Sequence, residues 1–383
     1  MSGDSEKRPA GWRRWVWALV LGGAAIGLGW GLAVARRPIW PGAHWSWKAP
    51  EAAGFSFRGL SDFAQRAGGT GCLVHGGEMI YAWGDVSFRR DMASSIKPLY
   101  AYLVFKAIEA GRLASLDEPV LPWVPELGDL NAARGHKDRA ITFRHLLTQT
   151  SGYGLAEKPG AAFAYNDYAT GLLTWLTFYR VWDLPPVRYD ELLNGETLGA
   201  VLGFEDAPTA DYRGYRQAIR GRIRMSARDA ARFALLYLRG GIWNGRRLLR
   251  RDLFAQALGG CLPADFPRTA GQDAELLPEE WKPIGAGGAK DLKNHLGCLG
   301  HFWWFNRPTP DGTRLLPDAP PGTFMGSGYG GRFAMVVIPE WDLVAVWQQV
   351  HPGEQWSPLS EVGRFKVNEM IRELRAARTV PAP

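Results

Sequence analysis

The chain has 383 residues, long enough for one large domain or two intergrown domains with a substantial core. Hydrophobic residues make up 46% of it and charged residues 22%, as in ordinary globular proteins. The net charge is +7, of which residues 1–37 supply +4 through six basic and two acidic residues. The rest carries no dense basic patch, so we expect no nucleic-acid partner. The three cysteines and seven histidines show no metal-ligand spacing, so we expect no metal.

The first element is an apolar segment, residues 15–35, that contains no charged residue. At about 1.5 Å per residue, a helix of this length spans a bilayer core of roughly 30 Å. Four basic residues precede the segment and two follow it, which favours a cytoplasmic N-terminus at 1–14 and an extracytoplasmic, periplasmic body. We predict a transmembrane anchor followed by a linker at 36–54. The alternative is a signal peptide cleaved after the Ala-Val-Ala that ends at Ala35, which would release a secreted body.

Two short apolar runs, residues 71–75 and 79–83, flank the pair Gly76-Gly77. A glycine pair between two such runs predicts a β-hairpin, because glycine readily takes the positive φ that tight hairpin turns require. The next signal is an apolar run that predicts a helix over residues 94–110, and Ser94 and Lys97 lie at its start.

The spacing of Ser94 and Lys97 places both side chains on one face of that helix. A serine hydroxyl becomes a good nucleophile only when a base takes its proton. A lysine can be that base when burial lowers its pKa. Ser-x-x-Lys is therefore a minimal pair of nucleophile and base, although a serine that only caps a helix is the simpler alternative.

The remaining chain predicts more helices, then strands, then a last helix. The predicted helices are at residues 142–148, 168–179, 226–239 and 359–378. Residues 258–295 are rich in proline and glycine and predict irregular structure. The late strands are predicted at residues 332–338 and 343–349. We therefore predict an α+β fold, similar to an α/β sandwich. Its antiparallel sheet joins the early and late hairpins, helices flank the sheet, and an all-helical lobe is inserted.

Five segments in this order resemble the serine β-lactamase and penicillin-binding-protein superfamily. They lie at residues 93–120, 141–152, 163–173, 225–245 and 326–347. They are most similar to the class C-like branch, which includes D-alanyl-D-alanine peptidases, esterases and amide hydrolases. The resemblance covers residues 55–374, so we expect the hydrolase domain at 55–378 and a tail at 379–383. It implies a hydrolase that forms an acyl-enzyme, needs neither metal nor organic cofactor, and acts on a small molecule or peptide.

The resemblance also assigns roles to particular residues. Ser94 matches the acylated nucleophile and Lys97 its helical partner. Tyr165 opens the second motif and matches the second proton-transfer group. Asp167 closes that motif, where the family usually has asparagine. A carboxylate there could bond Lys97 and help to keep it charged.

The third motif is Gly326-Ser327-Gly328, on a predicted strand beside the cleft. Glycine at 326 replaces the lysine or histidine of most relatives. The amide of Tyr329, after the motif, and that of Ser94 would hold the oxyanion of the intermediate. Without the cation at 326, we expect small esters or amides to be preferred over β-lactams and cell-wall peptides.

Three further expectations depend on weaker signals. Gln149 stands where many relatives have histidine. Residues 302–305, Phe-Trp-Trp-Phe, either line the cleft or belong to the core. Cys261 and Cys298 bracket the irregular segment and could form a disulfide in an oxidising compartment. Because the second and third motifs are altered, the alternative function is a binding protein that keeps the fold without catalysis.

Overall fold

The computed structural model describes residues 38–212, 219–278, 295–296, 298–309, 311–351 and 364–379. The predicted transmembrane segment, residues 15–35, lies outside the described residues, as does most of the predicted tail. Among the residues that are described, no helix is long and apolar enough to cross a membrane. The fold described below belongs to the unit that begins at Trp40.

The strands are numbered in chain order. They are β1 (Thr70–His75), β2 (Glu78–Trp83), β3 (Arg90–Asp91), β4 (Thr209–Tyr212), β5 (Ile219–Met225), β6 (Ile242–Trp243), β7 (Arg246–Arg247), β8 (Leu299–Gly300), β9 (Trp303–Phe305), β10 (Phe324–Gly328), β11 (Phe333–Ile338) and β12 (Leu343–Gln348). The main sheet is antiparallel, with the order β2-β1-β12-β11-β10-β9-β8. A small sheet, β3-β5-β4, and the hairpin β6-β7 lie apart from it.

The pairing of β1 with β12 joins the two ends of the domain. Thr70 pairs with Gln348 and His75 with Leu343, so the early hairpin and the late hairpin share one sheet, as the sequence predicted. The early hairpin turns at Gly76 and Gly77, with φ of 68° and 95°, a conformation that glycine adopts without a steric penalty. The predicted antiparallel α+β arrangement is therefore confirmed. The small sheet was not predicted, because its strands carry few of the usual sequence signals.

The helices are also numbered in chain order. They are α1 (Phe57–Ala67), α2 (Lys97–Glu109), α3 (Phe143–Leu147), α4 (Asp167–Trp175), α5 (Tyr189–Asn194), α6 (Gly199–Leu202), α7 (Ala227–Leu238), α8 (Arg251–Ala257) and α9 (Arg364–Ala376). A π-helical stretch, Leu176–Val181, extends α4. Between β3 and β4, residues 97–202 contribute helices and no strand of the sheets, which matches the predicted helical insertion.

Successive side chains along the strands of the main sheet pack alternately into two hydrophobic clusters. In β12, Val344 and Val346 pack into the cluster that contains the helical insertion and α7. Leu343 and Ala345 pack instead with α1 and α9 on the other face. This period of two places helices on both faces of the sheet, and the face with the helical insertion is where α2 begins.

Residues 40–54, predicted as a linker, contact the domain. Trp45 is buried in the cluster of the helical insertion. The backbone of Met79 in β2 exchanges hydrogen bonds with Ser46 and Lys48, at 2.9 and 3.0 Å. The compact unit therefore extends to Trp40, ahead of the predicted boundary at residue 55.

The predicted disulfide is wrong, since neither Cys261 nor Cys298 is part of a disulfide. The two sulfur atoms are directed at different acceptors. Cys298 Sγ contacts the carbonyl oxygens of Leu296 and Arg307, at 3.2 and 3.5 Å. Cys261 Sγ lies 3.9 Å from the carbonyl oxygen of Cys298. The two cysteines are therefore close through their backbones, but their sulfur atoms contact carbonyl oxygens and do not have the geometry of a disulfide.

Candidate active site

Ser94 lies inside a 3₁₀ turn, Ala93–Ile96, that leads directly into α2. The amide and hydroxyl of Ser95 both donate to the carbonyl oxygen of Met92, at 3.3 and 2.6 Å, and so hold the turn. The N-cap positions of the turn and of α2 are Met92 and Ile96. Ser94 therefore caps neither element, and the simple capping interpretation of this serine does not apply.

The turn is entered through a strained residue. Ala93 has a φ of 49°, in the left-handed region that costs a non-glycine residue about 1–3 kcal/mol. Its amide donates to Asp91 Oδ1 at 2.8 Å, and the other oxygen of Asp91 accepts from Arg222 at 2.8 Å. These bonds hold the backbone in its strained form immediately before Ser94.

Strand β10 packs its backbone against this turn. Its neighbour β9 pairs only with Phe324 and Met325. The turn lies against one face of β10 at Gly326 and Gly328. A Cβ at Gly326 would collide with the carbonyl oxygen of Ser95. One at Gly328 would lie 2.8 and 2.7 Å from the amide nitrogens of Ser94 and Ser95. Glycine at both positions therefore allows strand and turn to approach, and places the Tyr329 amide one residue beyond this contact.

Lys97 begins α2 and is buried, with 4% of its surface exposed. Its Nζ lies 2.6 Å from Asp167 Oδ1 and 3.9 Å from the centre of the Tyr165 ring. Burial by itself lowers the pKa of Lys97. The negative charge of Asp167 and the hydrogen bonds to Asp167 and Tyr165 outweigh burial, and the pKa is raised. Lys97 is therefore an ammonium at neutral pH.

The start of α4 places Tyr165 and Asp167 beside that ammonium. Asn166 is the N-cap of the helix: its side chain accepts from the amide of Ala169 at 2.9 Å and donates to the carbonyl of Tyr153 at 2.7 Å. Asp167 follows as the first helical residue, where the positive end of the helix dipole favours a carboxylate. The middle residue of the second motif therefore fixes the helix start, and its two neighbours contact Lys97.

Phe302 is a site residue that the sequence did not distinguish from core. Its ring centre lies 5.9 Å from Lys97 Nζ, on the two-residue turn between β8 and β9. Both turn residues, His301 and Phe302, have positive φ, 46° and 70°. The next residue, Trp303, is fully buried in the core. Within the aromatic run, Phe302 therefore lies near Lys97 while Trp303 belongs to the core. No local sequence pattern could have told these two positions apart.

The third motif presents two different faces. Gly326 and Gly328 face the Ser94 turn, whereas Ser327, between them, pairs across to Ala334 and is buried. Since side chains alternate along a strand, Ser327 faces away from the turn. The structure therefore separates Ser327 from the other predicted site residues.

Tyr329 is 62% exposed and has a φ of 50°. The guanidinium of Arg332 lies 5.7 Å from the centre of its ring, and Arg332 Nε donates to the carbonyl oxygen of Val350 at 3.1 Å. Arg332 is thus engaged beside Tyr329, and the third motif itself offers no cation. Among the described residues, no group of three or more His, Cys, Asp or Glu could hold a metal ion.

Comparisons with known proteins agree with this geometry. The β-lactamase family profile matches residues 57–178, which contain Ser94, Lys97, Tyr165 and Asp167. An 82-residue stretch is 40% identical to the esterase EstB of Burkholderia gladioli, and covers 21% of this chain and 20% of the esterase. The match thus spans only a fifth of that relative.

Solved structures share the fold over most of the chain. A penicillin-binding-protein homologue from Caulobacter crescentus has a TM-score of 0.54 at 15% identity, covering 87% of this chain and 98% of that one. A D-alanine carboxypeptidase from Burkholderia cenocepacia has a TM-score of 0.51 at 18% identity, covering 82% and 96%. The β-lactamase family profile thus matches the segment that holds the Ser-x-x-Lys pair, and these solved structures share the fold of the chain.

Proposed function

We propose that this protein is a serine hydrolase that cleaves an ester or a small amide through an acyl-enzyme on Ser94. One observation carries the proposal: the ammonium of Lys97, one turn after Ser94, contacts both Tyr165 and Asp167. A buried cation beside a phenol and a nucleophilic serine is an arrangement suited to proton transfer.

In the proposed reaction Ser94 Oγ attacks the substrate carbonyl. Its proton passes to the Tyr165 oxygen while the hydroxyl proton of Tyr165 passes to the leaving alcohol or amine, whose bond to the carbonyl carbon breaks. Water attacks the acyl-enzyme by the same route and releases the acid and Ser94. Lys97 stays an ammonium throughout, and its positive charge offsets negative charge on the phenol oxygen during proton transfer. No group outside these residues and water is needed to balance the steps.

The amides of Ser94 and Tyr329 supply the oxyanion contacts in this proposal. Gly328 lies against the Ser94 amide and is followed directly by Tyr329, which supports placing both donors beside one carbonyl oxygen. Each such donor stabilises the transition state by roughly 3 kcal/mol in hydrolases where one has been removed.

The preference for neutral substrates is proposed from the third motif. Gly326 has no side chain, a Cβ there would collide with the turn, and Arg332 is bound to Val350. A charged hydrogen bond to a substrate carboxylate contributes about 1.5–3 kcal/mol, and the motif has no group to make it. The esterase similarity over 82 residues points the same way.

Labelling with a fluorescent phosphonate and a hydrolysis screen test the proposal together. The wild-type protein should be labelled and should cleave p-nitrophenyl butyrate with at least tenfold higher kcat/KM than nitrocefin or a D-Ala-D-Ala peptide. A preference of tenfold or more for the latter substrates would refute the substrate assignment. Absence of both labelling and turnover would favour the alternative, a binding protein without catalysis.

We also propose that residues 15–35 tether the body to a membrane on its extracytoplasmic side. The uncharged segment and its basic flank support this. Protease added to spheroplasts should digest the body without lysis, and the protein should need detergent for extraction. Protection of the body until lysis would contradict the orientation, and a mature N-terminus at Arg36 would show signal-peptide cleavage instead.

A further inference from the structure

Gln149 occupies an unusual position in the turn that follows α3. It is 1% exposed, and its backbone has a φ of 60°, in the left-handed region. Its side-chain Nε2 donates to the carbonyl oxygen of Leu146 at 3.0 Å, which fixes the amide against the end of α3. Backbone strain in a buried polar residue persists only where the surrounding structure holds it, and it is often found near functional sites.

The other contacts of Gln149 lie on either side of Tyr165. Its backbone carbonyl accepts from the amide of Ala164 at 3.0 Å. Its side-chain Oε1 accepts from the amide of Asn166 at 2.7 Å. One residue therefore binds the amides of the residues immediately before and after Tyr165, and the left-handed backbone lets its carbonyl and side chain reach both.

We propose that Gln149 is a positioning residue for Tyr165. Both contacts act on the backbone that carries the phenol ring, and the ring centre lies 3.9 Å from Lys97 Nζ. Ser94 and Lys97 belong to a different segment, so Gln149 sets the place of the phenol relative to the nucleophile. The inference rests on the proposed hydrolase function, in which Tyr165 transfers the proton of Ser94. A displacement of about 1 Å in such a group can lower the rate by about a hundredfold.

Two variants of Gln149 test whether the side-chain oxygen that accepts from the Asn166 amide is the group that matters. Q149M keeps the length and the backbone carbonyl and loses both side-chain hydrogen bonds. Q149E keeps an oxygen that accepts from the Asn166 amide. We expect Q149M to lower kcat by about 10- to 100-fold with KM changed less than about threefold. We expect Q149E to recover most of the wild-type kcat.

Asn306 provides a matched control. It is also 1% exposed, and its amide bonds the carbonyl oxygens of Leu316, Ala319 and Pro320, a segment that makes none of the site contacts described above. N306L should lower the unfolding temperature but leave kcat of the folded protein within about threefold of wild type. A comparable kcat loss in N306L would show that general destabilisation explains the Gln149 result, and would overturn the proposal.

Other outcomes are equally decisive. Folded Q149M with wild-type kcat, or Q149E as slow as Q149M, overturns the proposal. If Q149M does not fold, amide hydrogen exchange of the wild-type protein tests the proposal instead. The amides of Ala164 and Asn166 should be strongly protected from exchange. Exchange of these amides near the rate of an unstructured chain would overturn the proposal. An inactive, unlabelled wild-type protein would refute the proposed function, whereas active wild type with equally active Q149M would refute only the role of Gln149.

Discussion

The ammonium of Lys97 lies 2.6 Å from the carboxylate of Asp167, a residue 70 positions later in the chain. The two residues reach each other because α2 and α4 both begin beside the Ser94 turn. Burial of Lys97 favours its neutral form, and Asp167 with Tyr165 favours its charged form more strongly, so its pKa is raised. In the proposed reaction, the carboxylate at this position therefore leaves Tyr165, and not Lys97, to accept the proton of Ser94.

Replacement of Asp167 should change the pH dependence of the reaction. In D167N, burial of Lys97 is less opposed, so its pKa falls relative to the wild-type protein. If the ammonium supports Tyr165, kcat/KM will decline at a lower alkaline pH in D167N than in the wild-type protein. The measurement is kcat/KM for p-nitrophenyl butyrate across the alkaline range.

D252N is the matched control for that measurement, because the carboxylate of Asp252 is exposed and pairs with Arg250. It should leave the pH profile unchanged. A D167N profile that coincides with that of the wild-type protein would contradict the proposed role of the pair.

The neighbouring serines Ser94 and Ser95 make a second pair of variants. S94A should abolish phosphonate labelling and turnover, because the other hydroxyl of the turn Ala93–Ile96, that of Ser95, is buried. S95A removes a buried hydroxyl that donates to Met92 at 2.6 Å, and should cost about 1 kcal/mol of stability while labelling continues. Mass spectrometry of the labelled peptide tests the assignment, and an adduct on Ser95 would refute it.

The close approach of β10 to the turn predicts that G326A is strongly impaired. The added methyl group meets the carbonyl oxygen of Ser95, so either the strand or the Ser94 turn must move. We expect kcat/KM to fall by about tenfold or more, since a shift near 1 Å at the nucleophile is costly. G42A is the control, because a Cβ at Gly42 meets no atom within 4 Å. A fully active G326A would show that the turn tolerates displacement.

His301 should make the protein less stable in acid. Burial, with a contribution from the positive charge of Arg144, lowers the pKa of His301 to about 4 from its usual 6.5. The unfolded chain therefore binds a proton between these pH values while the folded protein does not, so stability is lost as pH falls from 6.5 towards 4. The full effect is roughly 3 kcal/mol.

H301N tests this effect, since asparagine tolerates the left-handed backbone at 301 and carries no titratable group. Urea unfolding at pH 7 and pH 4.5 should show a smaller acid loss in H301N than in the wild-type protein. Other groups titrate equally in both proteins, so their effect on stability cancels in the comparison. One of them is Asp229, because burial raises its pKa to about 6. Equal acid losses in the two proteins would refute the prediction.

Local patterns of residues were enough to predict the α+β class and to place the motifs on their elements. Turn glycines predict the hairpin at Gly76-Gly77, and an apolar run predicts the helix after Ser94. The helix after Ser226 is predicted from its N-cap serine, whose side chain accepts a hydrogen bond from the residue three positions later. Such signals act over a few neighbours, so they can be interpreted without the fold.

The surroundings of Ser94, by contrast, depend on contacts that exist only in the folded chain. Three features join segments that are distant in sequence: the Cβ collision at Gly326, the approach of Phe302 to Lys97, and the hydrogen bonds of Gln149 to the amides of Ala164 and Asn166. The charge of Lys97 depends on a balance between burial and the distance to Asp167, and both exist only in the folded chain. Packing and electrostatics vary with separation in space, which the order of residues along the chain does not specify.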